Sequence, residues 1–296
     1  MREPHLAVRC RLQVNQPSGP YRQSNCRHGV MLYPANDLHI GRSLDLYGEW
    51  AEAELELLGL LLRPGDVVVD VGANIGTHTV HFARKVGATG AVVAFEPQRI
   101  IFQLLCANVA LNGLDNVHAW HGAVGSAPGA IVVPSVHYAV AGNYGGVTLV
   151  GGAGATDADD HGEQVQMFTL DTLALPRGRC RVIKIDVEGM EIEVLRGARA
   201  LLQSSRPILY VENNDAARSP AVIEYLLQLD YRLFWHLSRF FNPKNFRGNP
   251  DNAFGDLADI NVIAVPLNLV PAFASLHPVL GPDDHWEALR QRLRPR

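Results

Sequence analysis

The chain has 296 residues, 47% hydrophobic and 19% charged, with a formal net charge of −4. That is ample apolar material for one large α/β domain, and the mild negative balance gives no general attraction to nucleic acid or anionic lipid. The four cysteines, Cys10, Cys26, Cys106 and Cys180, show no paired or zinc-type spacing, which suits a reducing cytoplasm. The first residues lack an apolar signal core and no apolar run reaches membrane length. The expectation is a cytoplasmic protein without a membrane partner.

Residues 1–62 carry hairpin-like pieces ("GVMLYPANDLHIG") and a helical stretch, "GEWAEAELELLGLLL". They read as an extension of a single domain spanning 1–296. The core of that domain covers 63–266 and a tail covers 267–296, where Arg290, Arg292, Arg294 and Arg296 read as a solvated helix end. From Val67 a regular alternation begins. "VVVDVG" is a buried strand, "THTVHFARKVG" a helix, "AVVAFEP" a second strand, "RIIFQLLCANVALNG" a helix and "VHAWHGAVG" a third strand. A Gly/Ala-rich insertion, 142–162, ends in Asp157, Asp159, Asp160 and His161 and reads as a surface excursion. Then follow "CRVIKIDVEG", the helix "MEIEVLRGARALLQ", the strand "RPILYVENN", the helix "PAVIEYLLQLD" and the strands "YRLFWHL" and "DINVIAVP". Strands alternating with helices predict a doubly wound, mostly parallel sheet, and no linker splits off a second domain.

The turn after the first strand, "DVGANIGTHTVHFA", places Asp70, Gly72, Asn74, Gly76 and Thr77 where backbone can approach a ligand and a helix N-terminus presents free N–H groups. A dinucleotide site needs G-x-G-x-x-G, but Asn74 and Thr77 hold its second and third glycine positions, which disfavours a nicotinamide-dependent oxidoreductase. S-adenosylmethionine fits better. Asp70 supplies negative charge toward its cationic end, and the turn amides meet its carboxylate. Glu96, ending the next strand ahead of Pro97, accepts both ribose hydroxyls.

The pieces "DVGANIGTHTVHFA", "AFEP", "FTLDTL", "IKIDVEGMEIEVLRGA" and "INVIAVP" stand in the order found in the FkbM family of S-adenosylmethionine-dependent methyltransferases, which the chain resembles from about Gly29 to Pro266. The resemblance implies a Rossmann-like, seven-stranded class I methyltransferase fold with an antiparallel last strand. It implies methyl transfer, usually to oxygen, on sugars, glycans or secondary metabolites. Asp70, Gly72 and Glu96 match the family's cofactor positions. His121, Ala123 and Val124, after the third strand, lie where adenine sits in such folds.

In an open α/β sheet, ligands bind outside the carboxyl ends of the strands. "VIKIDVEG" carries Lys184, Asp186 and Glu188 at alternate positions, so an otherwise aliphatic strand ends in acid where it reaches the cleft. A buried Lys184 needs a partner among Asp186, Glu188 and Glu212. The next strand ends in Glu212, Asn213 and Asn214, and Asp186, Glu212 and Asn213 form a set of hard oxygens suited to Mg²⁺, as in catechol-type O-methyltransferases. Methyl transfer to an alcohol also needs a base, for which Asp186, Glu212 and His236 are the candidates. His78 and His81 read more simply as core or cap residues. For the substrate, Glu188 and the loop "HLSRFFNPKNFRGNPDNAFGD" offer Phe240, Phe241, Asn245, Arg247 and Asn249. The helix "LYGEWAEAELELL" reads as covering the cofactor's methionine end, with Glu49 or Glu52 near its ammonium. A non-catalytic cofactor-binding domain is disfavoured by acids held at a cleft, and a nucleic-acid methyltransferase by the lack of a basic channel. The expected partner is a small-molecule or glycosidic hydroxyl. The oligomeric state, homo-oligomers included, is open.

Overall fold

The computed structural model describes residues 19–148, 162–176 and 178–287. The acid-rich end of the insertion, Cys10 and the C-terminal arginines lie outside the described residues. In chain order, a hairpin of β1 (Tyr21–Cys26) and β2 (Gly29–Pro34) leads into helices α1 (Ile40–Tyr47) and α2 (Glu52–Leu61). The alternating run follows: β3 (Val67–Val71), α3 (Thr77–Val86), β4 (Ala91–Glu96), α4 (Arg99–Leu111) and β5 (Val117–His121). Next come β6 (Ala123–Val124), β7 (Gly129–Val133), β8 (Glu163–Phe168) and β9 (Cys180–Ile185). The run closes with α5 (Glu191–Arg196), α6 (Arg199–Ser205), β10 (Ile208–Glu212), α7 (Ser219–Gln228), β11 (Tyr231–Arg239), β12 (Ala258–Pro266) and β13 (His277–Pro278).

The main sheet has the order β13-β11-β12-β10-β9-β3-β4-β5. Strands β5, β4, β3, β9 and β10 are parallel, and β12 runs antiparallel to both β10 and β11. The expected doubly wound sheet with an antiparallel last strand is therefore present. The count differs, because the two-residue β13 adds an eighth strand against β11. Strict alternation divides each central strand between two cores. Val69, Val71, Ile183, Ile185, Leu209 and Val211 pack beneath α5, α6 and α7. Val68, Val182, Ile208 and Tyr210 pack beneath α2 and α3. Both faces are covered, which explains why β3 is buried along its whole length.

Two elements read as continuous are divided. "VHAWHGAVG" leaves the main sheet after Gly122, whose N–H still reaches the Glu96 carbonyl at 3.1 Å. Ala123–Val124 then pairs with β8 in a small sheet of order β6-β8-β7. "MEIEVLRGARALLQ" breaks at Gly197-Ala198, because the Asp171 carboxylate of "FTLDTL" accepts from Ala200 N–H and Leu201 N–H, both at 2.9 Å, and so starts α6 afresh. No helix among the described residues is long and apolar enough to cross a membrane.

The N-terminal hairpin is tied to α4 and to the turn after β3 rather than hung on them. Asn108, fully buried on α4, accepts from Leu32 N–H at 2.6 Å and donates to the carbonyls of Leu32 (3.0 Å) and Ile75 (2.8 Å). One amide thereby joins β2, α4 and the turn after β3. Replacing it leaves buried backbone groups unpaired, so Asn108→Ala should lower the free energy of unfolding by about 2–4 kcal/mol. A urea melt of the variant against the parent protein measures this, and an unchanged midpoint contradicts it.

Candidate active site

The crevice is built at the carboxyl ends of β3, β4, β9 and β10, the place that strand twist and connection leave open in such a sheet. Gly72, just past β3, has φ +79, and a Cβ on it would overlap the Asp186 carbonyl oxygen. Two chain segments thus cross in contact at the floor of the crevice, and only glycine allows it. Asn74 also takes a left-handed conformation (φ +51) and donates its N–H to Glu96 Oε2 at 3.0 Å. Gln98 N–H donates to the other oxygen, Oε1, at 2.8 Å. Two backbone donors thereby fix the Glu96 carboxylate, which is only 3% exposed.

Two cavities meet along this floor. The first, of about 480 Å³, is lined by Gly72, Phe95, Glu96, Ala123, Val124 and Met190, with Asp186 and Glu188 at one end. The second, of about 700 Å³, runs from Asn74, Thr77 and Glu96 past Asp186 to Glu54, Glu212, Asp259, Trp50 and Phe240. Gly72, Glu96, Gly145, Asp186 and Glu188 line both.

Lys184, 3% exposed, places Nζ 3.0 Å from Asp186 Oδ2, 3.8 Å from Asp70 Oδ1 and 3.5 Å from the Gly72 carbonyl. Burial opposes its charge, but the carboxylates of Asp186, Asp70 and Glu54 outweigh that and hold the ammonium above its ordinary pKa. Burial likewise opposes ionisation of Asp186, and the Lys184 ammonium overcomes it, so Asp186 is held below the usual carboxylate range. The other acids go the opposite way. Burial, with the Asp186 charge beside them, pushes Glu188 up to about 7 and Glu212 well above its ordinary value. Burial next to Glu54 and Asp186 raises Asp259 well above its own. Burial also carries Glu96 to about 7 despite its two amide donors. Asp186 therefore faces the crevice ionised beside Glu188, Glu212 and Asp259, whose hold on their protons is strengthened.

The Methyltransferase FkbM domain family model matches residues 70–233, more than half of the chain. The chain belongs to the FkbM methyltransferase family. It is 29% identical over 177 residues to the hexuronic acid methyltransferase AglP of Haloferax volcanii, covering 56% of this chain and 62% of that relative, less than two thirds of its length. Among solved structures, it is similar to the methyltransferase FkbM of Methylobacillus flagellatus, at 17% identity and a TM-score of 0.43, over 72% of this chain and 50% of that one. It is also similar to a precorrin-6y C5,15-methyltransferase of Geobacter metallireducens, at 14% identity and a TM-score of 0.44, over 73% of this chain and 87% of that one.

Within this FkbM domain the structure gathers Gly72, Asn74, Thr77, Glu96, Pro97, Ala123, Val124, Asp186, Glu188, Glu212 and Phe240 around the two cavities. Other expected residues fall elsewhere. Asp70 is fully buried below the floor and accepts from Thr79 Oγ1 at 2.6 Å, so it acts on the crevice through Lys184. Gly76 caps α3 with φ +90 and lines neither cavity. His121 stacks on Phe102 at 5.1 Å, its Nε2 3.1 Å from the Pro97 carbonyl. His236 lines neither cavity, and its Nδ1 lies 2.7 Å from the Tyr210 hydroxyl. Asn213 also turns away: its amide donates to Ser219 Oγ at 2.8 Å, and the acid close to both Asp186 and Glu212 is Glu188 instead.

The substrate loop is a correction of the same kind. Asn245 donates to the carbonyls of Asn242 and Asn249, Arg247 donates to the Leu44 carbonyl and Asn249 to that of Leu46, while Phe241 packs on Tyr47. These side chains satisfy loop and α1 backbone groups that burial would otherwise leave unpaired. Phe240 alone of that set lines a cavity, against Trp50 with ring centroids 4.6 Å apart. Glu49 is taken by Arg27, Asn242 and the Phe246 N–H, and Glu52 by His28 and Arg27. His78 lines the second cavity and pairs with Glu54 at 3.0 Å. His81 packs edge-on to His28, and burial brings it down to about 3.

Sequence reasoning missed Glu54 and Asp259. The signal was there for Asp259: "DINVIAVP" carries Asp259 and Asn261 at alternate positions of an apolar strand, the pattern already seen at Lys184 and Asp186. Glu54 accepts from Asn261 Nδ2 at 3.1 Å, which places it opposite the strand tips.

Gly72→Ala should destabilise the protein by about 2–4 kcal/mol and abolish ligand uptake, since both the φ and the Asp186 carbonyl oppose it. Gly87→Ala, at φ +65 with open space around it, is the control and should cost about 1 kcal/mol. Thermal unfolding of the two variants checks the contrast, and equal losses contradict it.

Proposed function

We propose that the protein is an S-adenosylmethionine-dependent O-methyltransferase acting on a hydroxyl of a sugar, glycan or secondary metabolite. The observation that carries this is the placement of Gly72, Glu96 and Asp186 on the floor shared by two cavities, with a fixed carboxylate on each side of a glycine crossing. The residues fit the cofactor. Phe95, Ala123, Val124 and Met190 give the first cavity an apolar lining suited to a base ring. Each Glu96 oxygen uses one lone pair on a backbone donor and keeps another for a ribose hydroxyl. Asn74 and Thr77 bring turn amides to the second cavity for a carboxylate, and Glu54 brings a carboxyl group for an ammonium.

When bound, S-adenosylmethionine supplies a methyl carbon on a positively charged sulfur. Asp186 is suited to receive the acceptor hydroxyl's proton at its carboxylate as that oxygen takes the methyl group. Lys184 keeps it ionised for this, and Trp50 and Phe240 offer a ring face for the acceptor. The hexuronic acid methyltransferase relative supports a sugar acceptor. Among the described residues, the two cavities are lined by one lysine and no arginine, which opposes a nucleic-acid phosphate chain. Cys26, Cys106 and Cys180 are free thiols, in keeping with a cytoplasmic setting.

A second reading adds Mg²⁺, favoured by ligand atoms of Asp186, Glu188 and Glu212 that all lie within 4.8 Å of one another. Turnover that is lost in chelator and restored by Mg²⁺ supports it, and full turnover in chelator removes it.

Asp186→Asn should keep affinity for S-adenosylhomocysteine while kcat in a labelled-methyl assay falls about 10²- to 10⁴-fold. Surviving turnover assigns the proton elsewhere. Binding of S-adenosylhomocysteine should also depend on pH through Glu96. A carboxylate raised to about 7 is ionised above that pH and protonated below it, so affinity should weaken by up to about tenfold for each unit that pH falls below 7. Calorimetric titrations at pH 6, 7 and 8 check this, and a flat profile contradicts the ribose contact.

A further inference from the structure

A third cavity, of about 550 Å³, adjoins the crevice on the side away from Glu96. Glu188 and Glu212 form the partition, lining both this cavity and the second one. Glu188 (φ +51) and Gly189 (φ +106) are consecutive left-handed residues, and this tight turn sets the Glu188 side chain at the divide. The far wall comes from Thr148, Asn214, Asp215 and Arg218, with Val222 as its apolar contact.

Arg218 lies directly over Gly189, where a Cβ would overlap the guanidinium. Its Nε is 3.4 Å from Asp215 Oδ2, and among the described residues its two terminal amino groups have no hydrogen bond. A wall of amide, carboxylate, hydroxyl and guanidinium groups returns little to an aliphatic or aromatic ligand. It matches a unit rich in hydroxyls.

We propose that this cavity is an outer acceptor subsite holding the sugar unit next to the one presented to Asp186. The preferred acceptor is then a glycan of at least two units rather than a lone small molecule. This rests on the methyl-transfer reading. The Glu188–Glu212 partition is the rim over which the glycosidic link passes, and Arg218 donates to ring hydroxyls of the outer unit.

The test is labelled-methyl transfer by the full chain to a panel of methyl hexosides and to the corresponding disaccharide glycosides. The two-ring acceptors should show kcat/KM at least about tenfold higher, through KM. Arg218→Ala should collapse that ratio toward one. Thr148→Trp, which fills the cavity while leaving Arg218 and Asp215 unsubstituted, should do the same. Equal use of one- and two-ring acceptors by the parent protein, or a preference that survives both variants, overturns the subsite while leaving methyl transfer in place. Failure to methylate any hydroxyl in the panel contradicts the methyl-transfer reading itself.

Discussion

The structure depends on a buried ammonium. Lys184 sits at 3% exposure on the central strand of a sheet otherwise filled with Val, Ile and Leu, and a charge there persists only if it is paired. Register supplies the partner below, since Lys184 lies beside Asp70 of β3, whose other oxygen is taken by Thr79 of α3. The chain supplies the partner above, Asp186, two residues on and on the same face. The Gly72 carbonyl completes the set at 3.5 Å. One side chain therefore couples β3, β9, α3 and the glycine turn, and everything that faces the crevice is hung from that junction.

The junction also creates an electrostatic asymmetry. Glu188, Glu212 and Asp259 crowd the same strand tips as Asp186, and burial favours their neutral forms. Lys184 contacts Asp186 alone among them within 4 Å, so the charge settles there. A cluster of acids thereby becomes one base with proton-bearing neighbours, in a crevice where Glu54, held by His78 of α3 and Asn261 of β12, faces the strand tips. Such pairs of titratable groups with diverging environments are the usual mark of a reactive site.

Much of this was legible in the residues. Alternation of strand and helix carried the architecture. Asn74 and Thr77 in the glycine turn argued against a diphosphate, and Lys184, Asp186 and Glu188 on one face marked the cleft. What escaped did so for physical reasons. The Asn213 amide is spent on Ser219 Oγ of α7, a partner that its place in the sequence does not announce. The polar loop around Asn245 and Arg247 reads like a binding surface, yet its amides and guanidinium are consumed by its own backbone and by α1. Glu54 lies on a helix with an unremarkable pattern, and only the tertiary fold sets it against Asn261. The break between α5 and α6 depends on Asp171, distant in sequence.

The central claim is that the sulfonium cofactor lies across Gly72, between the carboxylates of Glu96 and Asp186. A crystal structure of the complex with S-adenosylhomocysteine tests it most directly. The account predicts the ribose hydroxyls on Glu96, the base against Ala123 and Val124, and the sulfur facing Asp186. Density for the ligand anywhere else, or an empty crevice at saturating ligand, would contradict it.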